Sequence, residues 1–99
     1  MKTFSLEIKT PDALVFSGDV ESLIVPRPDG LEGYLANHEP VLVDLAHGTL
    51  EIKGSDIGIP ETENPIFPIT KDPSNKSIKI EITGGFLTFL NNRATIFIR

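Results

Sequence analysis

The 99-residue sequence has no cysteine, no tryptophan, one tyrosine and two histidines. Without cysteine this stretch of chain holds no disulfide framework, no thiolate metal site and no cysteine nucleophile. With only His38 and His47, a multi-histidine metal centre is disfavoured too. Positive charge is scarce: nine Lys and Arg stand against fourteen Asp and Glu, a net charge of -5. Nucleic-acid affinity comes mostly from basic side chains that neutralise phosphates, so this balance argues against a general DNA or RNA binder. The longest unbroken apolar run, Ala13–Phe16, is four residues, whereas a membrane-spanning helix takes about 20. The opening segment Met1–Ser5 lacks the apolar stretch of a signal peptide.

What the sequence does have is a period of two. Apolar and polar residues alternate in Phe4-Ser5-Leu6-Glu7-Ile8-Lys9, in Ser77-Ile78-Lys79-Ile80-Glu81-Ile82-Thr83, and in Arg93–Arg99 through Ala94, Ile96 and Ile98. Such alternation places one row of side chains on each face of a strand, and β-branched residues enrich the same segments. Further strands are expected at Leu14–Phe16, Val20–Val25, Tyr34–Leu35, Pro40–Leu45, Thr49–Lys53 and Phe86–Leu90. Turn chemistry separates them: Ser17-Gly18-Asp19, Pro28-Asp29-Gly30, His47-Gly48 and Gly84-Gly85 supply residues that tolerate positive φ. Asn91-Asn92 fits a tight hairpin. Asn37–Ala46 is ambiguous, with Pro40 near its start compatible with a helix. The pattern predicts an all-β fold, an antiparallel β-sandwich or flattened barrel of about ten short strands in a single domain over residues 1–99.

Residues 54–77 stand apart. They hold four of the eight prolines (Pro60, Pro65, Pro68, Pro73), and proline removes ladder donors. This segment is expected to be a long surface excursion with a short edge strand at Ile66–Ile69. No catalytic residue, cofactor site or metal site emerges. Gly30-Leu31-Glu32-Gly33 lacks the Lys-Ser/Thr of a phosphate-binding loop, and Asp29 and Glu32 would repel phosphate. His38 has Glu39 beside it but no nucleophile within the motif, so a turn or interface role is favoured over catalysis. The segments Phe86-Leu87-Thr88-Phe89-Leu90 and Leu23-Ile24-Val25 are apolar on both faces, which predicts an apolar row that the excursion or a partner must cover.

Several segments, taken in order, resemble the ATP synthase epsilon subunits. They are Leu6-Glu7-Ile8-Lys9-Thr10-Pro11 with Val15–Ser22, then Gly30-Leu31-Glu32-Gly33-Tyr34-Leu35-Ala36-Asn37-His38-Glu39-Pro40-Val41-Leu42, then Gly48–Ile52, and finally Gly84-Gly85-Phe86-Leu87 with Asn92–Ile96. The resemblance implies a non-catalytic rotor subunit of an F-type ATP synthase that docks on the gamma subunit and on the proteolipid ring. It implies that the turn Gly30, Leu31, Glu32, Gly33, with Asn37 and His38, faces the ring. It implies that Thr10, His38, Pro40, Val41 and Val43 face gamma. It also implies membrane association only through the complex, on the cytoplasmic face in a bacterium or the stroma or matrix face in an organelle. The sequence departs from the family at Leu31, where Glu is usual, at Ala36, where Pro is common, and in the length of the excursion. It also ends where the family's C-terminal helices would begin, from which neither inhibition of ATP hydrolysis nor a nucleotide site is expected. The alternatives are a free-standing ligand-binding β-module, for which a single tyrosine offers little stacking surface, and a small hydrolase, which needs a carboxylate within reach of His38.

Overall fold

The period-two segments become strands that bury one face. In the computed structural model, which describes residues 2–54, 69–72 (backbone only) and 76–98, β1 (Phe4–Lys9) buries Phe4, Leu6 and Ile8 and turns Ser5, Glu7 and Lys9 outward. The same alternation shapes β8 (Ser77–Ile82) and β10 (Arg93–Ile98), whose buried rows are Ile78, Ile80, Ile82 and Ala94, Ile96, Ile98. The remaining strands are β2 (Leu14–Val20), β3 (Ser22–Arg27), β4 (Gly30–Leu35), β5 (Val41–Leu45), β6 (Gly48–Lys53), β7 (Ile69–Asp72) and β9 (Gly85–Leu90).

Among the described residues these ten strands form two five-stranded sheets. Sheet A has the order β2-β1-β10-β9-β5 and sheet B the order β4-β3-β6-β8-β7. All pairings are antiparallel except β1 with β10, which run parallel from Ser5 opposite Arg93 to Lys9 opposite Phe97. The inner faces share one apolar core, in which the Tyr34 ring of sheet B stacks on Phe89 of sheet A at 6.2 Å. Burying each such Leu, Ile or Phe is worth about 1.5–3 kcal/mol.

The β-sandwich expected from the sequence is the observed fold, and several local readings change. Ser17-Gly18-Asp19 is no turn: it continues β2, where Gly18 lies opposite Leu6 and a Cβ there would meet the Phe16 ring at 3.5 Å. Gly30–Gly33 is no turn either but the first part of β4, and the reversal is made by Pro28-Asp29. The ambiguous stretch after Asn37 becomes strand β5, because five residues from Val41 to Leu45 pair with β9. Of the edge strand expected at Ile66–Ile69, residues 66–68 lie outside the described residues; Ile69 opens β7 (Ile69–Asp72), paired with β8. Most of the proline-rich excursion lies outside the described residues. Its ends are drawn together by the Gly54 N–H, which donates to the Lys76 carbonyl at 3.1 Å.

Pairing registers place the turns at two opposite ends of the sandwich. One end carries the Thr10–Ala13 turn, Pro28-Asp29, Ala46-His47 and Thr83-Gly84. The other carries Thr3, Glu21, the Ala36–Pro40 loop and the Asn91-Asn92 hairpin. Asn91 and Asn92 have φ of 52° and 59°, the left-handed pair that a two-residue hairpin requires.

Candidate docking surfaces

β4 and β5 are the edge strands of their sheets and are joined by the Ala36–Pro40 loop, so they border one open seam of the sandwich. At one end of the seam, the Glu32 carboxylate accepts a 3.0 Å hydrogen bond from the Tyr34 hydroxyl and lies 3.3 Å from Arg27 Nε. Arg27 reaches across the sheets, donating from Nη1 to the Asp44 carbonyl at 3.0 Å. Burial, and then the neighbouring Glu32 carboxylate, push the Tyr34 phenol up from 10.0 to about 12. At the other end His38 packs on the Tyr34 and Phe89 rings, with centroids at 4.7 and 5.5 Å. Its Nδ1–H donates to the Glu39 carbonyl at 2.7 Å, since a carbonyl can only accept. Val41 and Val43 pack half-buried against the core along the same seam.

A second surface is the outer face of sheet A. Register places Phe86 beside Phe97, their rings stacked at 4.8 Å. Leu42 lies in the neighbouring row on β5, Leu90 further along β9, and Leu14 opposite Lys9. Leu14, Leu42 and Leu90 are more than half exposed. The sequence anticipated this row only through the two-sided apolar character of Phe86–Leu90; Leu42 and Phe97 become part of it through the fold.

The residues expected to face partners fall into groups. His38, Pro40, Val41 and Val43 line the seam or its closing loop. Thr10 lies apart from them on the far side of sheet A, where its hydroxyl accepts the N–H groups of Asp12 and Ala13 at 3.3 and 3.0 Å and holds the β1–β2 turn. Gly30 and Leu31 are at the end opposite Asn37 and His38, separated by the length of β4, about 17 Å at a strand's rise per residue. Glu32 is engaged in the seam, while Leu31, 75% exposed, and Gly33 face outward. Asn37 has φ of 64° and donates its N–H to Asn92 Oδ1 at 2.7 Å. Asn92 Nδ2 in turn donates to the Thr3 carbonyl at 2.9 Å. The hydrolase alternative needs a carboxylate hydrogen-bonded to His38, and the described residues supply a backbone carbonyl instead. The ligand-binding alternative has an open hollow of about 620 Å³ on sheet B near His47, Arg27 and Lys79. Glu51 and Glu81 line it too, and no Phe, Tyr or Trp side chain does.

A seam between two edge strands and an outer sheet face carrying exposed leucines and a stacked phenylalanine pair define a two-sheet β-sandwich with apolar side chains on its surface. The chain belongs to the family described as ATP synthase, Delta/Epsilon chain, beta-sandwich domain, whose family model matches residues 3–60. An ATP synthase epsilon chain from Pelotomaculum thermopropionicum is 33% identical over 95 residues, covering 96% of this chain and 57% of that one. One from Chlorobium limicola is 35% identical over 95 residues, covering 96% and 88%. This chain thus spans little more than half the length of several of the relatives it matches. Among solved structures, a chain of the Euglena gracilis mitochondrial ATP synthase superposes with a TM-score of 0.73 at 20% identity, covering 97% of this chain and 50% of that one. A chain of the Tetrahymena thermophila mitochondrial ATP synthase central stalk and c-ring gives 0.68 at 16%, covering 98% and 63%. Both share the fold.

Proposed function

We propose that this chain is a non-catalytic rotor subunit at the foot of the central stalk of an F-type ATP synthase. In this reading residues 1–99 form one docking module that holds gamma and the proteolipid ring together and transmits rotation without making or breaking bonds. The observation that carries it is the 35% identity to the Chlorobium limicola epsilon chain, which extends over 88% of that protein. In this reading the expected contacts fall on two surfaces. Gamma covers β5: the seam residues His38, Pro40, Val41 and Val43 on one side, and Leu42 with the Phe86–Phe97 stack on the other. The ring contact lies at the opposite end, at Gly30 and Leu31 beside the Pro28-Asp29 turn, so Asn37 and His38 group with gamma rather than with the ring. Membrane association then comes only through the ring.

The reading is tested by gel filtration of this chain with purified gamma at micromolar concentration. Co-elution as one complex is expected. Separate elution of two folded proteins would overturn the proposal.

A further inference from the structure

The backbone parity of β4 follows from one proline. Pro26 lies opposite Leu31, has no N–H to give, and accepts the Ala46 N–H on its carbonyl at 2.9 Å. Its backbone polar group therefore turns away from β4. Facing residues in an antiparallel ladder alternate between hydrogen-bonded and non-hydrogen-bonded pairs. The pairs Pro26–Leu31, Ile24–Gly33 and Ser22–Leu35 are thus the non-hydrogen-bonded ones, and the N–H and C=O groups of Leu31, Gly33 and Leu35 point to the free edge. Among the described residues, no backbone hydrogen bond outside the sheet ladders uses them. The same residues present their side chains on the outer face, where Leu31 is 75% and Leu35 65% exposed.

Sheet edges are ordinarily protected by Lys, Pro, a bulge or an inward-pointing charge. β4 has no Lys and no Pro, and its register with β3 is unbroken from Gly30 to Leu35. Its inward charge, Glu32, is matched by Arg27 and the Tyr34 hydroxyl. The outward residues of the strand are symmetric about Gly33, with Leu31 on one side and Leu35 on the other. An antiparallel two-fold axis at Gly33 sets Gly33 against itself and Leu31 against Leu35 of a second copy. These are the residues whose backbone groups are free.

We propose that β4 is a self-association edge, through which two copies of this chain pair antiparallel about Gly33 and join their B sheets. Each of the facing pairs Leu31–Leu35, Gly33–Gly33 and Leu35–Leu31 then exchanges two main-chain hydrogen bonds. One short strand with two leucines buries well under the roughly 800 Å² per partner of a standard interface, so the dimer forms at high protein concentration. Both copies carry a net charge of -5, so added salt, which screens their repulsion, strengthens it. The inference goes beyond the rotor reading and stands without it. Where both hold, Leu31 is shared between the second copy and the ring, and assembly competes with the dimer.

The test is sedimentation velocity together with amide chemical shifts, on this chain from micromolar to millimolar concentration. The mass is expected to climb from 10.8 kDa toward twice that value. The amide signals expected to move with concentration are those of Leu31, Gly33 and Leu35. Leu31→Lys and Leu35→Lys should each weaken the dimer about tenfold or more, because the two-fold axis removes two leucine contacts at once. Leu42→Lys, equally exposed on the other sheet, should leave it unchanged. A chain that stays monomeric throughout overturns the proposal. So does a dimer abolished by Leu42→Lys alone, or one whose concentration-dependent shifts fall on β5 or β7. If the lysine variants do not fold, the shift map of the unaltered chain decides.

Discussion

Gly85 opens β9 with φ of 150°, and a Cβ at this position would run into the Phe97 carbonyl of the adjacent strand. Backbone against backbone cannot give way as a side-chain tip can. Gly85→Ala is therefore expected to cost about 3 kcal/mol or more, while Gly33→Ala, with nothing nearer than 4.0 Å, should stay within about 0.5 kcal/mol by urea denaturation. Asn92 combines a left-handed backbone with hydrogen bonds to Thr3 and Asn37. Asn92→Gly loses the bonds alone and Asn92→Ala loses both, so Ala should be about 1 kcal/mol worse in the same assay. Tyr34 has a measurable signature because it is the sole tyrosine. Its folded value of about 12 lies above the ordinary 10.0, so the folded state binds the phenolic proton more tightly than the unfolded state. Its contribution to stability is complete below pH 10 and is lost as pH rises toward about 12. Phenolate absorbance should titrate late in the folded chain, and Tyr34→Phe should flatten the alkaline fall in stability across that window. Glycine and asparagine turns such as Gly84-Gly85 and Asn91-Asn92 were legible in the sequence because their chemistry is local. The Arg27–Asp44 tie was not, because β3 and β5 belong to different sheets and meet only after the two have packed.

The elements differ in how openly the sequence showed them. β1, β8 and β10 were plain from strict alternation with one buried row. β4 was read only at Tyr34-Leu35, because two glycines in Gly30–Gly33 resemble a turn and the strand's identity comes from pairing with β3. β5 remained ambiguous because Pro40 suits a helix start, and its pairing with β9 settles it as strand. For the same reason the docking surfaces were half visible: Val41 and Val43 could be named, while Leu42 and Phe97 acquire their position only from register. β5 is an edge strand, and Arg27 ties it to β3 through the Asp44 carbonyl. Removing that tie with Arg27→Met should cost about 1–2 kcal/mol, as expected for a charged hydrogen bond with a half-exposed ion pair. Amide exchange should accelerate in Val41–Leu45 more than in β1, and uniform acceleration across both would contradict the local role given to Arg27.

At the scale of the molecule, the large exposed apolar residues among those described divide between the sheet A face and the β4 edge. Phe89 is core, 1% exposed, so a charge there would unfold the chain and report nothing about docking. Leu42→Glu and Phe97→Glu stay on the surface. Each should leave the thermal transition near its original position while weakening gamma binding about tenfold or more, as loss of a central apolar contact does. Full gamma affinity in both folded variants would move the docking site off the outer face of sheet A.

The parallel pairing of β1 with β10 bears on how the fold is reached. β10 sits in the middle of sheet A, between β1 and β9, yet follows every other strand in the sequence. Until residues 93–98 are available, the β1–β2 pair and the β5–β9 pair have no strand to join them, and half of the core wall is missing. Contacts between residues so far apart in the chain make folding slow. During synthesis β1 therefore lacks its partner on that side until a strand some eighty-five residues later has been made. The wall of sheet A closes only once β10 has been made.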